Sequence, residues 1–197
     1  MRGKIHQNIK TLYPFKDGVI ANFDAAEKML SSFISMIPSK PLSLPTSYNM
    51  LIAIPCESTE VEMRAVKESA KRLKAKKVFL IPEPIAAAIG GGIDILQPKG
   101  NLIIDIGGGT TEIAVVSYGS IIRGKSLKIA GNTFNNDIIN YVRDEFDLNI
   151  GESTAEELKI TVGSAEYTKD SRQFSTAVQG RDLQTGLPKE VKISNNK

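Results

Sequence analysis

At 197 residues, with 41% hydrophobic content and a formal net charge of +3, the chain can bury a sizeable core, and its charge balance is too small to imply nucleic acid as a partner. A single cysteine, Cys56, excludes an internal disulfide and reads as a small buried apolar residue in a reducing cytosol; with one histidine in the chain there is no thiol or imidazole cluster for a metal. No apolar run approaches the roughly 18 residues of a membrane span, and Met1-Arg2-Gly3-Lys4 lacks the apolar core of a signal peptide, so a cytosolic chain is expected.

In chain order, Asp24 with Glu27 predicts a capping box, and Ala26, Met29, Leu30, Phe33, Ile34 and Ile37 recur at helical spacing up to Pro38. Ser39 to Ser47, rich in proline and serine, reads as a loop. Met50 to Ile54 predicts a strand, Thr59 with Glu62 caps a helix to about Lys74, and Val78 to Ile81 predicts a second strand: a βαβ unit with parallel strands. The basic run Lys71 to Lys77 lies at that helix end, where the dipole favours cations, and reads as a solvated face. Glu83-Pro84 then opens a helix of small residues, with proline at its first position, closed by Gly90, Gly91 and Gly92.

The most informative stretch runs from Leu102 to Val116, where an apolar run carries Asp105 into Gly107, Gly108 and Gly109 and resumes as a β-rich run after Thr110 and Thr111. That pattern is a strand, a tight turn and a strand. Successive backbone N–H groups in such a turn form a nest for phosphate oxygens, and an acid beside it is placed to serve a hard cation such as Mg²⁺, commonly through water. No lysine follows, as a Walker A loop requires, and Thr111 to Tyr118 is too β-branched to open a helix, as a dinucleotide fingerprint requires. An ordinary glycine-rich hairpin turn is the alternative.

Ile121 to Ile129 continues as strand, and Gly131 precedes a helix capped by Asn132 with Phe134, Ile138, Val142 and Phe146 on one face. Ser153 and Glu156 cap another helix to about Val162, and the rest alternates like hairpin strands around Asp182 to Gly186.

The segments Ile104 to Glu112, Phe79 to Gly90 and Lys16 to Ala21 resemble the MreB family, the bacterial actin homologues that govern rod shape. The resemblance runs from about Leu12 to the end and takes in Ile129 to Gly131 and Gly151 to Glu156. The Asp-x-Gly-Gly-Gly-Thr hairpin alone would admit chaperones and sugar kinases of the same superfamily; Lys16 to Ala21 and Asp182 to Pro188 narrow it. The resemblance implies an α/β actin-like ATPase fold with a ribonuclease H-like βαβ core, incomplete at both ends. Residues 1–90 would belong to the first lobe, 91–162 to the core of the second, and 163–197 to the start of a small β-containing subdomain.

It also implies ATP and Mg²⁺ as cofactors. Asp105, Gly107, Gly108, Gly109, Thr110 and Thr111 resemble the second phosphate loop, with Asp105 on Mg²⁺ through water. Glu83 is similar to the glutamate that orients the attacking water, with Thr110, or alternatively Thr111, as a second water-positioning group. Gly131 resembles a glycine of a connecting turn near the nucleotide, and Glu156 and Lys159 take the positions that contact ribose and adenine. Read without the family, Glu83 is equally a carboxylate at the positive end of its helix, and Glu156 with Lys159 an i, i+3 surface pair.

The partners implied are the chain itself in a head-to-tail filament, the cell-wall synthesis machinery, and the inner face of the membrane through Leu42 and Leu44, with a cytoplasmic, peripheral location and no nucleic acid. Exposed single leucines are equally common on soluble proteins. Pro82 stands where the family usually has a second glutamate, and Asn132 and Asn135 where it has aspartates. The family's first phosphate loop and later adenosine-binding turn are not found, so tight Mg-ATP binding is not expected of the chain as it stands. The competing functions are a non-hydrolysing fragment that binds filaments or is inactive, and a chaperone or sugar-kinase ATPase.

Overall fold

The computed structural model describes residues 12–16, 18–37, 48–164 and 174–195. They form two compact units, divided between Ala130 and Gly131.

The first unit opens with a short antiparallel hairpin, β1 (Phe15–Lys16) and β2 (Val19–Ile20), in which Gly18 takes the left-handed φ of 79° that its missing Cβ permits. Helix α1 (Phe23–Ser35) is capped by Asn22, whose extended backbone lets its side chain accept the Ala25 N–H at 2.9 Å. The capping box expected at Asp24 and Glu27 is therefore not formed; Asp24 sits in the first turn, one residue inside the helix. The helix ends at Ser35, short of Pro38, and of its expected apolar face Ala26 is buried while Phe33 is exposed.

Strand β3 (Asn49–Ile54), helix α2 (Glu60–Arg72) and strand β4 (Lys77–Pro82) make the expected βαβ unit, with β3 and β4 parallel from Asn49↔Lys77 to Ile54↔Pro82. The Thr59 capping box forms in both directions: Thr59 Oγ1 accepts the Glu62 N–H at 3.2 Å, and Glu62 accepts the Thr59 N–H at 2.8 Å. Lys71 and Arg72 occupy the last turn, as the dipole favours. Helix α3 (Glu83–Gly90) begins at Glu83, so Pro84 is its second residue rather than its first, still within the turn whose N–H groups have no helical partner.

Strands β5 (Asn101–Ile106), β6 (Thr111–Ser117) and β7 (Ser120–Leu127) form an antiparallel meander in that order, β7 stopping short of Ile129. Tyr118 and Gly119 both take positive φ in the two-residue turn between β6 and β7, the conformation that matches strand twist. The small residues of α3 let it lie close to this sheet: Ala88 packs with Ile103 and Val116 in a buried cluster flanked by Ile85, Ile93, Ile95 and Ile121.

In the second unit, α4 (Gly131–Phe146) and α5 (Glu152–Val162) pack with a three-stranded sheet ordered β10-β9-β8, from β8 (Leu148–Asn149), β9 (Ser175–Asp182) and β10 (Pro188–Ser194). Val142, Leu148, Ile150, Ala155, Leu158, Val162, Val178 and Ile193 form its core. Ile138 and Phe146 join that core as the spacing predicts, whereas Phe134 is exposed. Two caps differ from expectation. Gly131 is already helical, which places Asn132 inside the first turn, and Gly151 precedes α5, which places Ser153 inside that helix with no capping box.

Candidate phosphate turn and nucleoside-side cluster

In the first unit β5 delivers Asp105, half-buried, to the head of the Gly107–Thr110 turn. The Gly107 N–H donates to the Thr110 carbonyl at 2.9 Å, and a Cβ on Gly107 would lie 3.2 Å from that oxygen. None of Gly107, Gly108 and Gly109 adopts left-handed φ, and at Gly107 the missing Cβ serves close approach rather than handedness. Among the described residues the N–H groups of Gly108, Gly109 and Thr110 have no hydrogen-bond acceptor. The two threonines separate: Thr111 commits its hydroxyl to the Ile129 carbonyl at 2.6 Å, while the Thr110 methyl faces Gly18.

Across the ladder from Asp105 stands Glu112, 1% exposed. Its carboxylate accepts the Cys56 N–H at 2.9 Å and the Ser126 hydroxyl at 2.6 Å. Sequence reasoning missed it; the available signal was the lone charged residue of β6, paired directly with Asp105. Cys56 is half-buried rather than buried, and its thiol is pushed up to about 12 by burial, then by its hydrogen bond to Glu112 and the charges of Glu112 and Glu57. It is therefore a poor nucleophile.

Glu83, at the start of α3, makes no side-chain hydrogen bond among the described residues and lines a largely apolar cavity of about 720 Å³ together with Gly18, Ile20 and Pro55. Burial first, then the charges of Glu112 and Asp105, raise its carboxyl above the ordinary range. A carboxylate held only by its helix dipole would shift the other way. Among the described residues no three His, Cys, Asp or Glu side chains lie close enough to bind a metal ion directly.

In the second unit Gly131, Glu156 and Lys159 come together. Lys159 Nζ donates to the Glu156 carboxylate at 2.8 Å and to the Gly131 carbonyl at 3.3 Å, and Asn135 Nδ2 donates to the same Glu156 oxygen at 2.7 Å. Asn135 is 1% exposed and its Oδ1 has no partner among the described residues. Leu42 and Leu44 lie outside the described residues, as does Asp17. No helix among the described residues is long and apolar enough to cross a membrane.

The βαβ unit, the glycine-turn meander and the helix-backed second sheet make this an actin-like ATPase fold. A double helical filament of MamK has the same fold, with a TM-score of 0.70 at 19% identity, covering 92% of this chain and 54% of that one. The family model of the MreB/Mbl protein matches residues 1–197, and the chain belongs to the MreB/Mbl family. It is 45% identical over 196 residues to the cell shape-determining protein Mbl of Bacillus subtilis, covering 99% of this chain and 57% of that protein. MreB5 of Spiroplasma citri bound to AMPPNP matches with a TM-score of 0.91 and 42% identity over 100% of this chain and 58% of that one; its ADP-bound form matches at 0.89. The chain thus spans little more than half the length of the relatives it matches.

Proposed function

We propose that the chain is part of an MreB-type cytoskeletal ATPase that binds ATP with Mg²⁺, assembles head to tail with its own kind at the inner face of the membrane, and sets cell shape by organising cell-wall synthesis. The observation that carries this reading is the Gly107–Thr110 turn, with three N–H groups that have no acceptor among the described residues and Asp105 at its head, in a chain that superimposes on a relative carrying AMPPNP. Successive amides without an acceptor in a glycine turn suit an anion, and phosphate is an anion such turns take.

The donor set also fits a hydrated cation. Asp105, Glu83 and Glu112 concentrate negative charge in this region, as the raised Glu83 carboxyl reflects, yet among the described residues no three carboxylates approach closely enough for direct coordination. Asp105 would hold Mg²⁺ through water. Mg²⁺, when bound, supplies charge neutralisation to the β- and γ-phosphates. Glu83, desolvated and with no side-chain hydrogen bond among the described residues, is suited to orient and accept a proton from an attacking water, and Thr110, whose hydroxyl is not committed there as that of Thr111 is, to position it. Gly131, Glu156 and Lys159 form the nucleoside side, with the Lys159 ammonium and Glu156 carboxylate as donor and acceptor for adenine and ribose.

The test is Glu83→Ala in a chain extended to the length of its relatives. Turnover should fall about 10²- to 10⁴-fold, the usual contribution of a positioned acid–base group, with Mg-ATP affinity nearly unchanged. Equal losses in binding and turnover would return Glu83 to a helix-terminal role.

A further inference from the structure

Glu112 belongs to no role assigned so far, yet its surroundings are unusual. A fully buried carboxylate normally pairs with a cation. Among the described residues this one accepts from neutral donors, the Cys56 N–H and thiol and the Ser126 hydroxyl, and the charges that act with it on Glu83 are carboxylates. Its two oxygens join separate elements: the turn that follows β3 and the far strand of the meander, β7.

That turn is tied to β7 at further points. Ser126 gives its hydroxyl to Glu112 and its N–H to Glu57 at 3.1 Å, and Glu57 also pairs with Lys125 at 3.4 Å. A Cβ on Gly124 would lie 3.1 Å from the Cys56 sulfur, so the strand closes directly on the turn. Just before Cys56, the Pro55 ring approaches Gly18, where a Cβ would lie 2.9 Å from Pro55 Cγ and 3.2 Å from Thr110 Cγ2. A continuous set of contacts therefore runs from Glu112 through Cys56, Pro55 and Gly18 to the side chain of Thr110.

We infer that Glu112 is a positioning residue: its buried carboxylate clamps the Pro55–Cys56 turn to the meander and, through Pro55 and Gly18, sets the place of Thr110 beside the phosphate turn. What Thr110 is positioned for rests on the proposed nucleotide reading; the clamp itself does not. Glutamine can preserve the clamp, because its oxygen accepts from Cys56 while its amide donates to the Ser126 hydroxyl, whereas alanine removes both bonds.

Amide hydrogen exchange on the whole chain tests this. In Glu112→Ala, exchange at Cys56, Ser126 and Gly107, whose N–H groups donate to Glu112, Glu57 and the Thr110 carbonyl, should accelerate roughly 10- to 100-fold, the effect of losing one or two buried hydrogen bonds, with α2 protection retained. Glu112→Gln should restore protection. Ile103→Val, a core change without contact to the clamp, should leave those amides unaffected relative to the rest of its sheet. Gly18→Ala approaches the same contacts from the other end without unpairing a buried group, and should speed exchange at Gly107, which donates to the Thr110 carbonyl, and at Cys56 together. Failure of Gly18→Ala to loosen both, or uniform acceleration across the unit in Glu112→Ala, would overturn the clamp. Mg-ATP at millimolar concentration should slow exchange at Gly108 to Thr110 in the unmodified chain and in Glu112→Gln but not in Glu112→Ala. Absence of slowing in the unmodified chain would count against the nucleotide reading and leave the clamp to be decided by the other arms.

Discussion

Lys159→Met separates the two roles open to the Glu156–Lys159 pair, because they predict effects of different size in different assays. The ammonium contacts Glu156 at 2.8 Å and the Gly131 carbonyl at 3.3 Å, with 25% of the Lys159 side chain and 40% of the Glu156 side chain exposed. Partly exposed i, i+3 ion pairs contribute roughly 0.3–1 kcal/mol after solvent screening. Methionine keeps the apolar stem that packs along α5, so the loss should stay near about 1 kcal/mol, or roughly 4–8 °C in the melting temperature of a small domain. Asn135 continues to donate to Glu156, which limits the desolvation penalty left behind.

If the same ammonium contacts the nucleoside, a hydrogen bond from a charged group contributes roughly 1.5–3 kcal/mol to binding, or about 10- to 100-fold in affinity. Calorimetry with Mg-ATP and thermal melts, on a chain extended to the length of its relatives, would measure both. We expect the affinity loss to exceed the stability loss when both are expressed as free energy. A melting shift of a few degrees with unchanged affinity would refute the nucleoside-side role and leave an ordinary helix-surface pair.

Gly180→Ala should destabilise the second unit by about 1–3 kcal/mol, since its Cβ would lie 2.6 Å from the Asn149 carbonyl and 2.8 Å from Leu148 Cγ; a melt as stable as the unmodified chain would show that β8 can yield. Asp182 accepts from the Thr185 N–H, Lys189, the Thr185 hydroxyl and the Gln184 N–H, which hold its carboxyl well below the usual range. A depressed folded pKa gives stability that is present above the unfolded value, roughly pH 4, and lost as pH falls below it, so Asp182→Asn should flatten the acid limb of a pH–stability curve. Thr59→Ala should cost about 1 kcal/mol by opening the capping box of α2, read by denaturant midpoint; no change would mean that Glu62 alone serves the helix start.

The elements legible in the sequence were those whose signal is local and closed on itself. The Thr59–Glu62 box and the Asp182–Gly186 turn satisfy backbone groups within a few residues, and the β3–β4 pair and the Gly107–Thr110 turn carry their pattern in contiguous runs of apolar residues and glycines. Caps failed where two candidates stood close together. Asn22 and Asp24 are both good capping types, and the choice fell to the residue whose backbone remained extended at the end of the preceding hairpin, which residue type does not encode. Asn132 and Ser153 were displaced the same way, by glycines that entered or adjoined the helix first. Periodicity likewise predicted a face but not what covers it, so Phe33 and Phe134 remain exposed where the pattern called for contact. Glu112 stayed hidden because its partners, Cys56 and Ser126, are distant in sequence and meet it only once β3 and the meander are in place.

The three positions at which this chain departs from the family pattern bear unequally on the proposed chemistry. Pro82 closes β4 opposite Ile54 and leaves Glu83 as the first residue of α3, so the carboxylate assigned to water remains in place. Glu83 is already raised by burial and by Glu112 and Asp105, and a second glutamate beside it would add a further like charge to the same group. Asn135 acts elsewhere: its amide donates to Glu156, which an ionised aspartate could not do, because a carboxylate only accepts. With asparagine the Asn135, Glu156 and Lys159 trio is neutral and one oxygen of Glu156 receives both donors; with aspartate it would carry a net negative charge with two carboxylates sharing one ammonium. Asn132 lies in the first turn of α4, where a carboxylate would gain from the helix dipole and an amide does not. Two of the three changes thus fall in the unit proposed to take the nucleoside and one beside the glutamate proposed to orient water, away from Asp105 and the Gly107–Thr110 turn. The departures should therefore alter nucleotide affinity and its salt dependence more than they alter the chemical step.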